Sequence, residues 1–100
     1  MLKHIVFFRF QPEAEGRDAA GNALEVKRQL ESLPAKIAEI RALEVGVDMI
    51  RSERSWDLAL YSAFDDLEAM KRYQVHPAHQ EVIGFIKKVA SSIAAVDYEA

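Results

Sequence analysis

Apolar and polar positions alternate from the first residues of the chain. Across 2–10, Leu2, His4, Val6, Phe8 and Phe10 point one way, and Lys3, Ile5, Phe7 and Arg9 point the other. Both sides are largely apolar in the middle, which predicts a central strand covered twice, and Pro12 stops it. Residues 11–22 carry Pro12, Gly16, Gly21 and Asn22 among charges and read as a loop running into a helix start. From Ala23 the apolar residues Ala23, Val26, Leu30 and Leu33 recur at steps of three and four, one face of a helix that Pro34 ends. Strand periodicity returns over 42–50, where Leu43, Val45, Val47 and Met49 alternate with Glu44, Gly46 and Asp48. A polar turn at 51–55 leads into a strand over 56–64, with Trp56, Leu58, Leu60 and Phe64 on one face and Ala59, Tyr61 and Ala63 on the other.

Asp65 occupies the expected N-cap of the next helix, with Glu68 three residues on and Leu67, Met70 and Tyr73 on its buried face. Pro77 suits the first turn of a further helix striped by Val82, Ile83, Ile86 and Val89. A last strand over 91–98 alternates Ile93 and Ala95 with Ala94, Val96 and Tyr98. The order β-α-β-β-α-β is the split pattern of a ferredoxin-like α+β fold, an antiparallel four-stranded sheet with its helices on one face. Val6, Phe8, Val45, Val47, Leu58, Leu60 and Ile93 suit the helix-covered face. The opposite face then presents Ile5, Phe7, Ala59, Tyr61, Ala94, Val96 and Tyr98, with Arg9, Asp48 and Asp57 at its rim. Monomers seldom leave such a face bare. Pairing of two sheets would bury about 800 Å² per partner, so a homodimer, a dimeric α/β barrel through Ile5, Phe7, Tyr61 and Val96, is expected.

Composition narrows the function classes. One hundred residues make one ordinary domain, 1–100, with no linker or repeat. A net charge of −3 offers no basic stripe for nucleic acid. The absence of cysteine removes disulfides, thiolate metal sites and thiol nucleophiles, and fits a reducing compartment. No apolar run is long enough to span a bilayer, and the run at 2–10 is closed by Arg9 without a small-residue cleavage site. A soluble, cytoplasmic protein is expected. The scattered glycines form no phosphate-binding fingerprint.

Several segments together resemble the stress-responsive A/B barrel (Dabb) family: Lys3-His4-Ile5-Val6, Leu43-Glu44-Val45-Gly46, Asp57-Leu58-Ala59-Leu60, Tyr73-Gln74-Val75-His76-Pro77-Ala78-His79 and Val96-Asp97-Tyr98. The resemblance implies a ferredoxin-like protomer in a tight dimer with a central barrel. Many bacterial members of that family have no assigned activity, and some plant members are associated with stress. One branch, similar to olivetolic acid cyclase, folds linear polyketides into aromatic rings. In that branch the tyrosine and histidine matching Tyr73 and His79 act as an acid–base pair, and His4 would orient or assist.

All three histidines of the chain fall in these segments. His4 shares its strand face with Val6 and Phe8, and the turn between the last two helices brings Tyr73 towards His79. An apolar cavity lined by Val6, Phe8, Leu60, Val82, Ile83 and Ile93 is expected to hold them. Imidazole takes and returns protons near neutral pH, and a tyrosine hydroxyl stabilises charge developing on a carbonyl oxygen. A cofactor-free cyclase or lyase on a small hydrophobic carbonyl compound follows as one reading. A cofactor-independent monooxygenase-like enzyme is a variant of it by fold analogy. The competing reading is a stress-associated scaffold or small-ligand-binding dimer. In it His76 caps a helix, Tyr73 is a core aromatic and His4 a buried histidine. A metal site on His4, His76 and His79 is the sharper rival, but it lacks the glutamate of the zincin pattern, so neither metal nor cofactor is expected. Trp56 reads as core and the Arg51–Arg54 turn as solvated.

Overall fold

The computed structural model describes residues 1–100. Strand β1 (Leu2–Phe10) leads into a two-residue hairpin of β2 (Glu13–Ala14) and β3 (Arg17–Asp18). Its turn residues Glu15 and Gly16 both have positive φ, 51° and 76°. That is the two-residue turn whose twist matches paired strands, and glycine adopts it without Cβ strain.

Helix α1 (Ala19–Glu31) begins four residues earlier than its apolar stripe indicates. The Asp18 carboxylate caps it, accepting from the Gly21 N–H at 2.7 Å. Gly21 and Asn22, poor helix formers, are carried inside because Asn22 is buried and its amide donates to the Ala14 carbonyl at 2.9 Å. A single 3-10 turn, Leu33–Ala35, follows and includes Pro34.

Strand β4 (Ala42–Val47) stops short of the expected 50. The Asp48 carboxylate accepts from the Arg51 N–H at 2.7 Å and turns the chain, with Arg51 itself at φ 56°. Met49 is consequently left 90% exposed.

β5 (Leu58–Phe64) begins after Trp56, which is not core. The Trp56 ring lies beneath the Arg9 guanidinium, 4.1 Å from the ring centroid, beside the open sheet face. Asp57 ties β1 to the Arg51 turn. Its carboxylate accepts from the Phe10 N–H at 2.8 Å and from Arg51 at 2.6 Å, satisfying backbone displaced by the register shift at Arg9/Phe10. The Arg51–Arg54 turn is solvent-exposed, as expected, and Arg51 is also ion-paired with Asp48 and Asp57.

The N-cap of α2 (Leu67–Val75) is Asp66, which accepts from Ala69 N–H at 2.9 Å. Asp65, one residue early, instead makes a two-pronged pair with Arg41. With the helix starting at Leu67, that side chain sits on the exposed first turn rather than in the core. Helix α3 (Pro77–Val89) and strand β6 (Ala90–Glu99) complete the chain.

The main sheet has the order β4-β5-β1-β6, with every neighbouring pair antiparallel. Sequential strands are thus split by β1 at the centre, the ferredoxin-like arrangement of the α+β class. Helices pack on one face only. Between them and the sheet lies a continuous core that includes Val6, Phe8, Val26, Leu30, Leu58, Phe64, Tyr73 and Ile86. On the other face the register sets Ile5 between Tyr61 and Val96, and Phe7 between Ala59 and Ala94. Phe7, Val96 and Tyr98 are exposed there, as the alternation predicts.

Candidate active site

The segment 73–79 folds into a sharp corner. α2 ends at Val75, His76 is extended, and Pro77 opens α3, because proline lacks the N–H that a first helical turn leaves unused. The His76 ring caps α3, its Nδ1 accepting from the Ala78 N–H at 3.1 Å. His76 thereby fills the capping role foreseen for it and is spent on structure. No group of three His, Cys, Asp or Glu side chains is placed to hold a metal ion.

One turn into α3, His79 folds back over Tyr73, with ring centroids 4.3 Å apart. Its Nδ1 lies 3.1 Å from the Gln74 carbonyl, one of the acceptors that the end of α2 leaves without a helical partner. A carbonyl only accepts, so Nδ1 carries the proton and donates it. The lone pair is then on Nε2. Burial holds the His79 pKa below its ordinary 6.5, only partly offset by the Gln74 bond, and the neighbouring His4 and His76 push in the same downward direction. The side chain is thus kept as a neutral imidazole.

Tyr73 is wholly buried, packed on Phe64 at 4.8 Å between ring centroids. Its hydroxyl has no hydrogen-bond partner in the protein. Burial alone drives the phenol pKa well up from its usual value of 10.0, so the group stays a hydrogen-bond donor.

His4 rises from the sheet floor, its ring edge-on to Tyr73 at 6.4 Å between centroids. Its Nδ1 is bonded to the Asp97 carboxylate on β6, the residue directly across the antiparallel pair.

These three side chains line one cavity of about 200 Å³ between sheet and helices. Val6, Phe8, Leu60, Ile83 and Ile93 line it, as expected from the sequence. Val82 does not. It is buried in the packing of α3, and Ile86 takes its place on the cavity wall, because the helix face aimed at the sheet is set by the corner at His76. Leu30, Gln74 and Ala95 also contribute and were not foreseen. Leu30 sits on the apolar stripe of α1, and Ala95 alternates with Ile93, so both carried a legible signal. Asp97 carried one too, two residues beyond Ala95 on the same face.

A split antiparallel sheet with a mostly apolar, partly open pocket beneath its helices and a Tyr–His pair on the pocket wall defines a ferredoxin-like protein. The chain belongs to the stress responsive A/B barrel domain (Dabb) family, whose match spans residues 2–100. An uncharacterized protein of Streptomyces coelicolor is 32% identical over 99 residues, 99% of each chain. The crystal structure of a dimeric protein of unknown function and ferredoxin-like fold from Bacteroides fragilis is 39% identical, with a TM-score of 0.82 over 99% of this chain and 95% of that one. A hydroxynitrile lyase from Passiflora edulis shares the fold alone, at 16% identity and a TM-score of 0.78 over 97% and 90% of the two chains. So does an antibiotic biosynthesis monooxygenase, at 18% identity and a TM-score of 0.77 over 100% and 98%. One fold thus serves different chemistries, and the activity has to be argued from the site. No helix is long and apolar enough to cross a membrane.

Proposed function

We propose that the cavity is a cofactor-free acid–base site for a small, uncharged carbonyl compound, of the cyclase or lyase type. The observation that carries this reading is the Tyr73 hydroxyl, buried without a protein partner, on a side chain that lines a cavity shared with two imidazoles. A buried hydroxyl left unpaired costs about 1–3 kcal/mol, and a ligand carbonyl supplies the missing acceptor. The lining has no lysine or arginine to meet an anion, so a neutral ligand fits. The Tyr-x-x-His-Pro-x-His segment, by its resemblance to that of olivetolic acid cyclase-like enzymes, is consistent with this reading.

An imidazole of the His4–His79 pair takes the proton from the carbon beside the carbonyl. The electron pair of that C–H bond moves into the enolate, whose oxygen receives a hydrogen bond from Tyr73. The enolate carbon then attacks a second carbonyl of the same molecule, and the imidazolium returns its proton to the new alkoxide. A positioned acid–base group of this kind contributes roughly 10²- to 10⁴-fold in rate.

The test needs no knowledge of the natural substrate. Pentan-2-one in D₂O exchanges its α-hydrogens slowly, and ¹H NMR follows the loss of signal. The wild-type protein accelerates exchange over buffer, while Tyr73→Phe and His79→Ala remain folded and lose the acceleration. Equal rates in wild type and both variants would remove the acid–base reading and leave a binding or scaffold role.

We also infer a homodimer through the open sheet face. Supporting it are the exposed Phe7, Val96 and Tyr98 on a face without helices. A groove of about 510 Å³ also runs beside Phe7, over the small residues Gly46 and Ala59. Phe7→Glu converts dimer to monomer in light scattering at micromolar concentration. An unchanged mass refutes the interface.

A further inference from the structure

The two cavity histidines are held by different partners. His79 donates its Nδ1–H to a neutral backbone carbonyl, and burial opposes a charge on its ring. His4 has its Nδ1 against a carboxylate, that of Asp97, whose side chain is 39% exposed while His4 is 12% exposed. An ionised carboxylate only accepts, so His4 carries its proton on Nδ1 and leaves Nε2 as the ring nitrogen available to the cavity. An enolisation needs one base able to become positive while the carbon loses its proton. A carboxylate in contact stabilises the resulting imidazolium, and a backbone carbonyl does so far less.

We propose that Asp97 is a positioning residue for the cavity, acting through His4, and that His4 rather than His79 is the base that takes the substrate proton. This inference rests on the acid–base reading of the cavity. In the step, the C–H bond α to the carbonyl breaks, its proton goes to His4 Nε2, and its electron pair becomes the enolate whose oxygen Tyr73 holds. His4 becomes an imidazolium still donating Nδ1–H to Asp97, which stays ionised. His79, kept neutral, packs against the Tyr73 ring and holds that ring in place. The pairing comes from the sheet register alone: His4 and Asp97 face each other across β1 and β6, on the helix side, 93 positions apart in sequence.

Two measurements on the same proteins test it. Long-range ¹H–¹⁵N correlation spectra report which ring nitrogen of each histidine carries the proton. His4 is expected as the Nδ1–H form in wild type, to remain so in Asp97→Asn, whose side-chain oxygen still accepts, and to shift to the Nε2–H form in Asp97→Ala. His79 is expected not to change. In the pentan-2-one exchange assay, Asp97→Ala and His4→Ala each slow the protein-dependent rate, by roughly 10²-fold for His4→Ala. The double variant is no slower than His4→Ala, because the carboxylate acts only through the ring. Asp97→Asn recovers part of the rate. An unchanged His4 tautomer in Asp97→Ala, or single losses that multiply in the double variant, overturns the assignment while leaving the acid–base site intact. A wild-type protein that exchanges ketone no faster than buffer overturns the acid–base reading itself, and His4 as its base with it. The tautomer spectra then still separate a positioned His4 from a free one.

Discussion

Tyr73→Phe separates the two readings of this cavity through stability alone. Tyr73 is fully buried, its ring held by Phe64 at 4.8 Å and His79 at 4.3 Å between centroids, and its hydroxyl finds no protein partner. Phenylalanine keeps the ring contacts and removes only the oxygen. A buried, unpaired hydroxyl costs about 1–3 kcal/mol, so its removal is expected to stabilise the fold by about 1–2 kcal/mol. In a domain of this size that raises Tm by about 4–8 °C per kcal/mol, measured by circular dichroism at one protein concentration, since assembly also shifts Tm. A gain in stability together with a loss of ketone exchange is what a site that keeps an uncomfortable group for function should give. A fall in Tm refutes the reasoning, because it means the hydroxyl is already satisfied and Tyr73 is an ordinary core aromatic.

A second signature of the same burial appears at high pH. The unfolded phenol ionises near 10.0, whereas the folded one, its pKa raised by burial, holds its proton. Wild type is therefore stable in this respect below that pH. It loses stability as pH climbs above it, by at most about 1.4 kcal/mol per unit until the folded pKa is reached. The difference between wild type and Tyr73→Phe in urea unfolding isolates this slope.

His79 predicts the opposite pH dependence. Its folded pKa lies below the unfolded 6.5, so the unfolded chain binds the proton first as pH falls. Stability is full above that value and drops below it, levelling off once the folded pKa is passed. Urea titrations at about pH 7.5 and about pH 5 should show a smaller acid loss in His79→Gln than in wild type. The corrected helix start gives a further test. Asp66→Ala, which removes the cap on Ala69 N–H, should cost about 1 kcal/mol. Asp65→Ala breaks only its half-exposed pair with Arg41 and should cost between about 0 and 1 kcal/mol in the same denaturation assay.

Local chemistry made much of the architecture legible. Strand alternation in β1 assigned every side chain of 2–10 to its observed face. The stripes of α1 and α3 marked their buried residues, and Pro77 marked the start of α3. These features depend on neighbours two to four positions away, and such signals survive in a bare sequence. Tyr73 and His79 were brought together by the same token, because one short corner carries both.

The departures arise where distant parts of the chain override local preference. Gly21 and Asn22 argue against a helix until the Ala14 carbonyl is brought to the Asn22 amide. Trp56 alternates with Leu58 and Leu60, yet it turns to the open face because Arg9 stands over it there. Asp65 and Asp66 are both good caps, and Arg41, 24 positions away, engages the first and leaves the second for the helix.

The sequence by itself determined the order of the four main-sheet strands and the helices (though not the hairpin of β2 and β3), the apolar character of both sheet faces and the presence of Tyr73, His79 and His4 on surfaces turned inward. Those follow from periodicity and from the high cost of exposing apolar side chains. Only the tertiary structure decided that His4 meets Asp97, that Ile86 rather than Val82 walls the cavity, and that the Tyr73 hydroxyl is left without a protein partner. Register between strands at opposite ends of the chain, and the rotation of a helix on its sheet, depend on the packing of the whole core at once. No local pattern of residues encodes them.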